Sequence, residues 1–298
     1  YKELRYGENP HQSAIFKGDI DEVFDKLNGK ELSYNNLLDV DSAVRLISEF
    51  NSPTFAILKH NNACGISSSS DVSKCYSKAI EADPLSAFGG VLISNKMIDK
   101  DAAEKMNSLF FEIIIAPEYN DAALSILKSK KNRIVLIQKR DTHKPFTFRS
   151  ILNGSLKQES DNVKNSYKNW KLATKLSCNE NQLRDLEFAN KIVKHSKSNA
   201  IVLVKDEQML SSGVGQTSRI DALKFAIEKA KTFNFDLSNS VMASDAFFPF
   251  PDCIEIASDA GITAVVQPGG SIKDDLSINA CDERKIAMYL SGVRHFYH

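Results

Sequence analysis

The sequence lacks an excess of charge of either sign. Among its 298 residues, 38 Lys and Arg side chains balance 38 Asp and Glu side chains. A neutral chain has no overall field that would attract nucleic acid or an anionic membrane, so we expect neither as a partner. An anionic ligand would have to be held by a local group of basic residues.

Long apolar runs are also missing. No stretch approaches the roughly 18 uninterrupted apolar residues that a membrane span needs, and the charged opening YKELRYGENPHQ does not resemble a signal peptide. The cysteines are odd in number and far apart, which argues against a disulfide framework and for a reducing compartment. They are Cys64, Cys75, Cys178, Cys253 and Cys281. We therefore expect a cytoplasmic protein.

Several signatures of enzyme chemistry are absent. The chain has no H-x-E with a later P-C-x-x-C and no two cysteines spaced for zinc, so a zinc deaminase is not indicated. G-x-S-x-G and H-E-x-x-H are missing too, which removes the α/β-hydrolase elbow and the zincins. These absences leave a non-hydrolytic reaction that requires no metal.

What the sequence does contain is an alternation of strand-like and helix-like segments, which predicts an α/β fold. The expected strands are residues 55–58, 90–94, 112–117, 133–137, 200–204, 240–244 and 263–268. The expected helices are residues 71–83, 118–131, 183–197, 218–231 and 253–261.

A polar stretch at 149–170 interrupts this alternation and is the predicted linker or excursion between two halves. The order of segments partly repeats across it. A duplication would explain the repeat, and so would coincidence between segments that share one periodicity. We place the boundary between residues 155 and 156.

Chemistry-bearing residues gather where strands are expected to end. Lys59 and His60 follow the first strand, and in open α/β sheets ligands collect at the carboxyl ends of strands. An isolated Lys-His pair is more often merely solvated. Other segments add polar, glycine and aromatic groups to the argument: LRYGENPHQ (4–12), DPLSAFGGV (83–91), SSGVGQTSRIDA (211–222), SDAFFPFPD (244–252) and GVRHFYH (292–298). SSGVGQTSRIDA combines a Gly-rich loop with a helix start and an arginine, which suits an anionic group.

Together these segments resemble the transformylase part of the bifunctional purine-biosynthesis family that joins AICAR transformylase to IMP cyclohydrolase. The resemblance runs the length of the chain and includes LSYNNLLDVDSA, ILKHNNACG, SNAIVLVKD, GITAVVQPGGSI and CDERKIAMYLSGVRHF. It implies two cytidine-deaminase-like α/β subdomains with mixed sheets, at residues 1–155 and 156–298. It also implies a homodimer with shared active sites. The family's amino-terminal cyclohydrolase domain has no counterpart in this sequence.

The implied reaction transfers the formyl group of 10-formyltetrahydrofolate to the 5-amino group of 5-aminoimidazole-4-carboxamide ribonucleotide (AICAR). Lys59 and His60 match the family's catalytic pair, and Asn199 matches a residue that binds the formyl oxygen. The AICAR amine is a poor nucleophile because its lone pair is delocalised, so a general base such as histidine must take its proton during attack. A fixed donor is most useful where the oxyanion develops.

The resemblance assigns binding residues as well. Positions that match contacts to AICAR or its phosphate are Arg5, Tyr6, Gly89, Glu112, Arg219, Phe247, Arg294 and Phe296. Positions that match the folate side are Leu85, Ile220, Pro249, Phe250 and Asp252. The family sometimes holds a monovalent cation, such as K⁺, near positions that match Ser198 and Asp245.

One departure concerns the catalytic motif. Many members have His-x-Asn-Pro-Cys-Gly, and Ala63 replaces the proline here. Proline would have pre-shaped the turn, so its loss leaves the rigidity of the loop in question. Two alternatives to an active transformylase stay open: a folate- and nucleotide-binding module without turnover, and an unspecified α/β transferase that uses a Lys-His pair.

Overall fold

The computed structural model describes residues 1–140, 142 and 144–298. The predicted α/β class is confirmed. The described residues form a mixed sheet of 12 strands, two separate two-stranded sheets and eight α-helices.

The strands are β1 (Lys2–Leu4), β2 (Ala14–Phe16), β3 (Phe24–Asn28), β4 (Thr54–Lys59), β5 (Asn62–Ser68), β6 (Val91–Ser94), β7 (Ile113–Ala116), β8 (Ile134–Gln138), β9 (Phe146–Ile151), β10 (Gly154–Glu159), β11 (Lys171–Leu172), β12 (Ile201–Lys205), β13 (Gln208–Gly213), β14 (Val241–Ser244), β15 (Ala264–Gln267) and β16 (Ala287–Leu290). The helices are α1 (Tyr34–Ile47), α2 (Val72–Glu81), α3 (Lys100–Met106), α4 (Asp121–Lys128), α5 (Glu180–Lys194), α6 (Arg219–Thr232), α7 (Asp252–Asp259) and α8 (Asp274–Arg284).

All seven strands and all five helices predicted from the periodicity are present, with shifts of a few residues at their ends. Three helices and several strands were missed, among them α1 and the hairpin partners β5 and β13. The stretch 149–170 contains the end of β9 and all of β10, which form a hairpin outside the main sheet. Residues 155 and 156, between which the subdomain boundary was placed, both lie in β10.

The order of elements in the main sheet occurs twice. In the first half the strands run β5-β4-β6-β7-β8-β3, and in the second half β13-β12-β14-β15-β16-β11. From the centre of the sheet outward, each half begins with an antiparallel hairpin. The hairpin is followed by one antiparallel pairing, two parallel pairings and a final antiparallel pairing with the edge strand. The halves join where β13 and β5 pair antiparallel, with Gln208 opposite Ser67.

Helices cover both faces of the sheet. Alternate residues of each strand point to opposite faces, as in β7, where Ile113 and Ile115 join one apolar cluster and Ile114 joins another. The cluster under α1 and α5 runs through both halves. On the opposite face, α2, α3 and α4 cover the first half, and α6, α7 and α8 cover the second. The result is three layers with a core on each side of the sheet.

Candidate active site

The predicted site residues gather at one end of the main sheet, which we call the Lys59 end because β4 finishes there. The strand register shows which strand ends lie at this end of the sheet in both halves. Leu58 pairs with Val91, and Val91 pairs with Ile113. In the second half, Ile201 pairs with both Gly213 and Ser244. The antiparallel pairing of β13 with β5 then sets the end of β13 beside the start of β5, so that both halves contribute to the Lys59 end.

His60 and Asn61 form a two-residue turn between β4 and β5. Their φ angles are 49° and 64°, and Lys59 pairs with Asn62 across the turn. Two consecutive positive φ angles in a two-residue hairpin loop are typical of a type I′ turn. This geometry places the imidazole of His60 in an exposed position at the tip of a strand pair whose other residues are largely buried.

Lys59 lies beside the glycines that precede β6. Its Nζ donates to the carbonyl oxygen of Phe88 at 2.7 Å. A Cβ added at Gly89 would approach that Nζ to 3.1 Å, and Gly89 has a φ of +71°. The absence of a side chain at Gly89 therefore leaves room for the ammonium group, which keeps further N–H donors for a ligand.

A cleft of about 260 Å³ opens beside His60. It is lined by Glu8, Asn9, Asn35, Leu38, Asp39, His60 and Asn61. The amino-terminal segment is held there because Asn35 Nδ2 donates to the carbonyl oxygen of Glu8 at 3.1 Å. Burial raises the pKa of Asp39, although the amide of Asn61 and the charges of His60 and Lys59 oppose that shift. The motif LRYGENPHQ thus reaches the turn formed by His60 and Asn61.

Asn199 belongs to a buried polar group in the second half. Its Oδ1 accepts from Arg219 Nη2 at 2.9 Å, and its Nδ2 donates to the carbonyl oxygen of Thr217 at 3.2 Å. Arg219 Nη1 donates to Ser244 Oγ at 3.0 Å and forms an ion pair with Asp245. Arg219 and Asp245 are only 8% and 1% exposed. Asp245 neutralises the guanidinium of Arg219, so Arg219 supplies little net positive charge to a ligand. The guanidinium instead orients Asn199 through their hydrogen bond.

One hydrogen bond joins the strand β5, directly after the His60-Asn61 turn, to the segment that carries Asn199. The side-chain oxygen of Asn62 accepts from the amide of Lys197 at 3.2 Å. Asn62 Nδ2 also donates to the carbonyl oxygen of His60 at 3.0 Å. A single side chain therefore connects the turn of the first half with the Asn199 segment of the second.

A buried charged group holds the end of α5, just before that segment. Glu49 Oε1 accepts from Lys194 Nζ at 2.8 Å and from His195 Nε2 at 2.9 Å. Burial opposes ionisation of Glu49, but these hydrogen bonds outweigh it and lower the pKa of Glu49 to about 2. Burial lowers the pKa of His195. We therefore assign the ion pair to Glu49 and Lys194, with a neutral His195 donating to the carboxylate.

The tail after β16 lies against the Asn199 group. The amide of His295 donates to the carbonyl oxygen of Asp245 at 3.0 Å. Tyr297 exchanges two hydrogen bonds with Ser198, at 2.9 and 3.0 Å. Its hydroxyl accepts from Arg45 Nη2 at 2.7 Å. The segment GVRHFYH is thus held against the rest of the fold by these hydrogen bonds.

Other predicted binding residues make local contacts instead of joining these groups. The guanidinium of Arg5 lies 5.4 Å from the ring centre of Tyr6, and that of Arg294 lies 4.4 Å from the ring centre of Phe296. Glu112 pairs with Lys30 at 2.5 Å.

On the folate side, Asp252 Oδ1 accepts from the amide of Cys253 at 2.8 Å, and the ring of Phe250 lies 4.4 Å from Lys273 Nζ. Ile220 packs against the second-half core, whereas Leu85 is 76% exposed. Pro249 and Phe247 are also exposed. Leu85 precedes β6, and Phe247, Pro249, Phe250 and Asp252 follow β14, so these residues lie toward the Lys59 end.

Sequence reasoning missed the part that α1 plays in the site. Asn35 and Asp39 are one helical turn apart on α1 and both line the cleft. A usable signal was present, because Ser33 begins a capping box with Asn36 and fixes the start of the helix. From that start, helical spacing brings residues 35 and 39 to the same face.

The cysteines are not candidates for nucleophiles. Burial raises the pKa of Cys64, Cys178, Cys253 and Cys281 to about 12 and that of Cys75 to about 11, so the thiolate form is disfavoured. In the described part of the chain, no three His, Cys, Asp or Glu side chains come together as metal ligands. None of the described helices is both long enough and apolar enough to cross a bilayer.

Fold and site together define an α/β protein with a polar site at one end of a 12-stranded mixed sheet. Its sequence is similar to the bifunctional purine biosynthesis proteins PurH of Bacteroides thetaiotaomicron, Aquifex aeolicus and Caldicellulosiruptor saccharolyticus, with 58%, 46% and 44% identity over the whole chain. The chain belongs to the AICARFT/IMPCHase bienzyme family, which matches residues 1–229.

The chain spans 59% of the length of each of these relatives. Among solved structures, a diaminohydroxyphosphoribosylaminopyrimidine deaminase/5-amino-6-(5-phosphoribosylamino)uracil reductase from Thermotoga maritima covers 35% of the chain at 23% identity. Its TM-score is 0.23, too low to bear on the fold.

Proposed function

We propose that this chain transfers the formyl group of 10-formyltetrahydrofolate to the 5-amino group of AICAR, giving formyl-AICAR and tetrahydrofolate. Membership of the AICARFT/IMPCHase family supports this reaction. The observation that carries the proposal is the Asn62–Lys197 hydrogen bond, which ties the Lys59-His60 turn to the Asn199 segment. A base, a cation and an amide donor thereby share one end of the sheet.

Each of these three residues has a role that its surroundings allow. His60 is exposed at the cleft and accepts the proton of the AICAR amine as nitrogen attacks the formyl carbon. The Lys59 ammonium stabilises the developing charge and assists protonation of N10 as folate leaves. Asn199 donates to the oxyanion, using the Nδ2 hydrogen that remains beyond its bond to Thr217.

The nucleotide and the folate occupy the surroundings of the Lys59 end. Because Arg219 is neutralised by Asp245, we assign the charge opposite the nucleotide phosphate chiefly to Arg5 and Arg294, which are both exposed. Tyr6, Gly89, Glu112, Phe247 and Phe296 complete the AICAR side. Leu85, Ile220, Pro249, Phe250 and Asp252 form the folate side.

We also propose that the two halves are cytidine-deaminase-like subdomains that arose by duplication. The repeated strand order and pairing directions support this origin. The proposed boundary remains between residues 155 and 156.

A homodimer with shared active sites is part of the same proposal. The exposed side chains of Leu85, Phe88 and Phe110, which are 76%, 61% and 52% accessible, support a covering partner. If each site draws residues from two copies, mixing the inactive variants Lys59→Ala and Asp252→Ala restores part of the activity. A fully active monomer in sedimentation would contradict this assembly.

A monovalent cation such as K⁺ fits the Asn199 group in part. Among the described residues, the buried Oδ2 of Asp245 has no hydrogen-bond partner. Asp245 and the neighbouring Ser198 would hold the cation, which would supply positive charge beside the carboxylate. Four of the five cysteines are buried and Cys178 is half-buried, and the absence of a sequence pattern for disulfides supports the reducing, cytoplasmic setting that we propose.

The test is direct. Purified protein given AICAR and 10-formyltetrahydrofolate is expected to release tetrahydrofolate, and His60→Ala is expected to abolish turnover while nucleotide binding persists. Equal turnover by His60→Ala would remove His60 from the mechanism. Tight binding of both substrates without turnover by the wild type would favour a binding module.

A further inference from the structure

An aspartate on α1 holds the catalytic turn. Asp39 Oδ1 accepts the backbone N–H of Asn61 at 2.7 Å, and Asn61 is the second residue of the type I′ turn. The carboxylate is half-buried beside His60. Asp39 therefore fixes the backbone of the turn that carries the proposed base. It does so from α1, a helix that otherwise packs against the sheet.

The second half repeats the arrangement without the catalytic residues. Asp206 and Glu207 connect β12 to β13 with φ angles of 53° and 50°, and Lys205 pairs with Gln208 across them. Asp185 on α5 accepts the N–H of Asp206 at 2.9 Å and that of Glu207 at 2.7 Å. Each hairpin turn is thus held by an aspartate on the helix that precedes it.

The two turns lie at opposite ends of β5. The amide of Ser68 donates to the carbonyl oxygen of Glu207 at 2.9 Å, whereas the catalytic turn adjoins Asn62. Ser68 lies six positions after Asn62, which is about 20 Å along an extended strand. The Asp185 turn is consequently remote from the candidate active site.

We infer that Asp39 is a positioning residue for formyl transfer, holding the Lys59-His60 turn in its reactive geometry through the hydrogen bond to Asn61. The inference rests on the proposed function. A type I′ turn favours Asn-Gly, and His-Asn carries a β-carbon at both positive φ angles, so the turn needs external support. The proline that many family members have after this turn is Ala63 here, a residue of β5, and does not supply that support.

The chemistry makes such support matter. A general base must lie within hydrogen-bond reach of the proton it takes. Misplacement by about 1 Å costs roughly 100-fold in rate when reacting groups lose alignment. Asp39 reaches the base only through the backbone, so its loss should lower the rate of the chemical step more than it weakens nucleotide binding.

The experiment compares Asp39→Ala with a control variant, Asp185→Ala, which removes the equivalent aspartate of the second half. Amide hydrogen exchange should accelerate at Asn61 in the first variant and at residues 206–207 in the second. We expect Asp39→Ala to lower kcat about 10- to 100-fold, with the nucleotide Kd changed less than about twofold. Asp185→Ala should keep kcat within about twofold of the wild type. Asp39→Asn keeps a side-chain oxygen in place and should retain at least about a third of kcat.

Three outcomes would overturn the inference. The first is an Asp39→Ala protein as active as Asp185→Ala, and the second is an Asp39→Ala protein whose loss lies wholly in nucleotide Kd. The third is an Asp39→Asn protein no better than Asp39→Ala, which would make the charge the essential feature. A wild-type chain without turnover would instead contradict the proposed function, and the inference would fall with it.

Discussion

Gly65 offers a sharp test of how β5, which follows the His60-Asn61 turn, packs against α2. An ideal Cβ at Gly65 would lie 2.0 Å from the carbonyl oxygen of Ala79 and 2.9 Å from its carbonyl carbon. Strand and helix would have to separate by about 1 Å, and no side-chain rotation can relieve a clash with backbone. Overpacking of this kind costs about 1–3 kcal/mol or more. We expect Gly65→Ala to reach about 3 kcal/mol, since the entropic gain from alanine offsets less than about 1 kcal/mol.

The assay is denaturant unfolding followed by circular dichroism, with thermal melting as a second readout. For a chain of this size, the loss corresponds to a fall in Tm of about 5–10 °C. Gly154→Ala is the matched control, because nothing lies within 4 Å of a Cβ added there and its φ is not positive. It should change stability by less than about 0.5 kcal/mol. Equal stability of Gly65→Ala and the wild type would refute the packing described for β5 and α2.

Two further predictions concern buried ion pairs. Asp83, in the loop before β6, pairs with Lys229 of α6 at 2.5 Å, with side chains 3% and 23% exposed. Asp83→Ala leaves that lysine unpaired between the two halves and should cost about 3 kcal/mol in denaturant unfolding. Folding lowers the pKa of Glu49 from 4.5 to about 2. The ionised carboxylate therefore stabilises the folded state by at most about 3 kcal/mol. This contribution is complete above pH 4.5 and is lost as the pH falls toward 2. The stability difference between wild type and Glu49→Gln should therefore shrink between pH 6 and pH 3.

An exposed pair controls for the first of these. Arg284 and Asp259 lie 2.7 Å apart with side chains 37% and 73% exposed, so Asp259→Ala should cost less than about 1 kcal/mol. Equal losses of unfolding free energy in Asp83→Ala and Asp259→Ala would contradict the stabilising role of the Asp83–Lys229 ion pair between the two halves. A difference between wild type and Glu49→Gln that stays constant with pH would contradict the ionised state of Glu49.

The periodicity predicted strands rich in branched apolar residues, whereas β5 and β13, which contain several small residues, were among the strands that it missed. β7 contains three consecutive isoleucines and is unmistakable, whereas β5 contains Gly65 and Ser67 and resembles a loop. The small residues are there because α2 comes close: Ser67 Oγ donates to the carbonyl oxygen of Cys75 at 2.9 Å. That requirement is tertiary, and no local pattern reveals it.

The same limit applies to the candidate site. The sequence indicated Lys59 and His60 by their place at a strand end and Arg219 by its Gly-rich loop at a helix start, and the resemblance supplied Asn199. It gave no sign that Arg219 would be neutralised by Asp245, because that pairing depends on how α6 and β14 meet. The role of Asp39 likewise depends on the distance between α1 and a turn 22 residues away along the chain. Long-range contacts of this kind need coordinates.

Formyl transfer by the Lys59-His60 turn, as we propose it, can be observed by following a labelled formyl group. Wild-type chain, AICAR and 10-formyltetrahydrofolate labelled with carbon-13 in the formyl group are combined, and the labelled carbon is followed by NMR. We expect the label to move to the 5-amino nitrogen of AICAR with the wild type and to stay on folate with His60→Ala, which still binds nucleotide. Transfer at equal rates by both proteins, or by neither, would contradict this proposal.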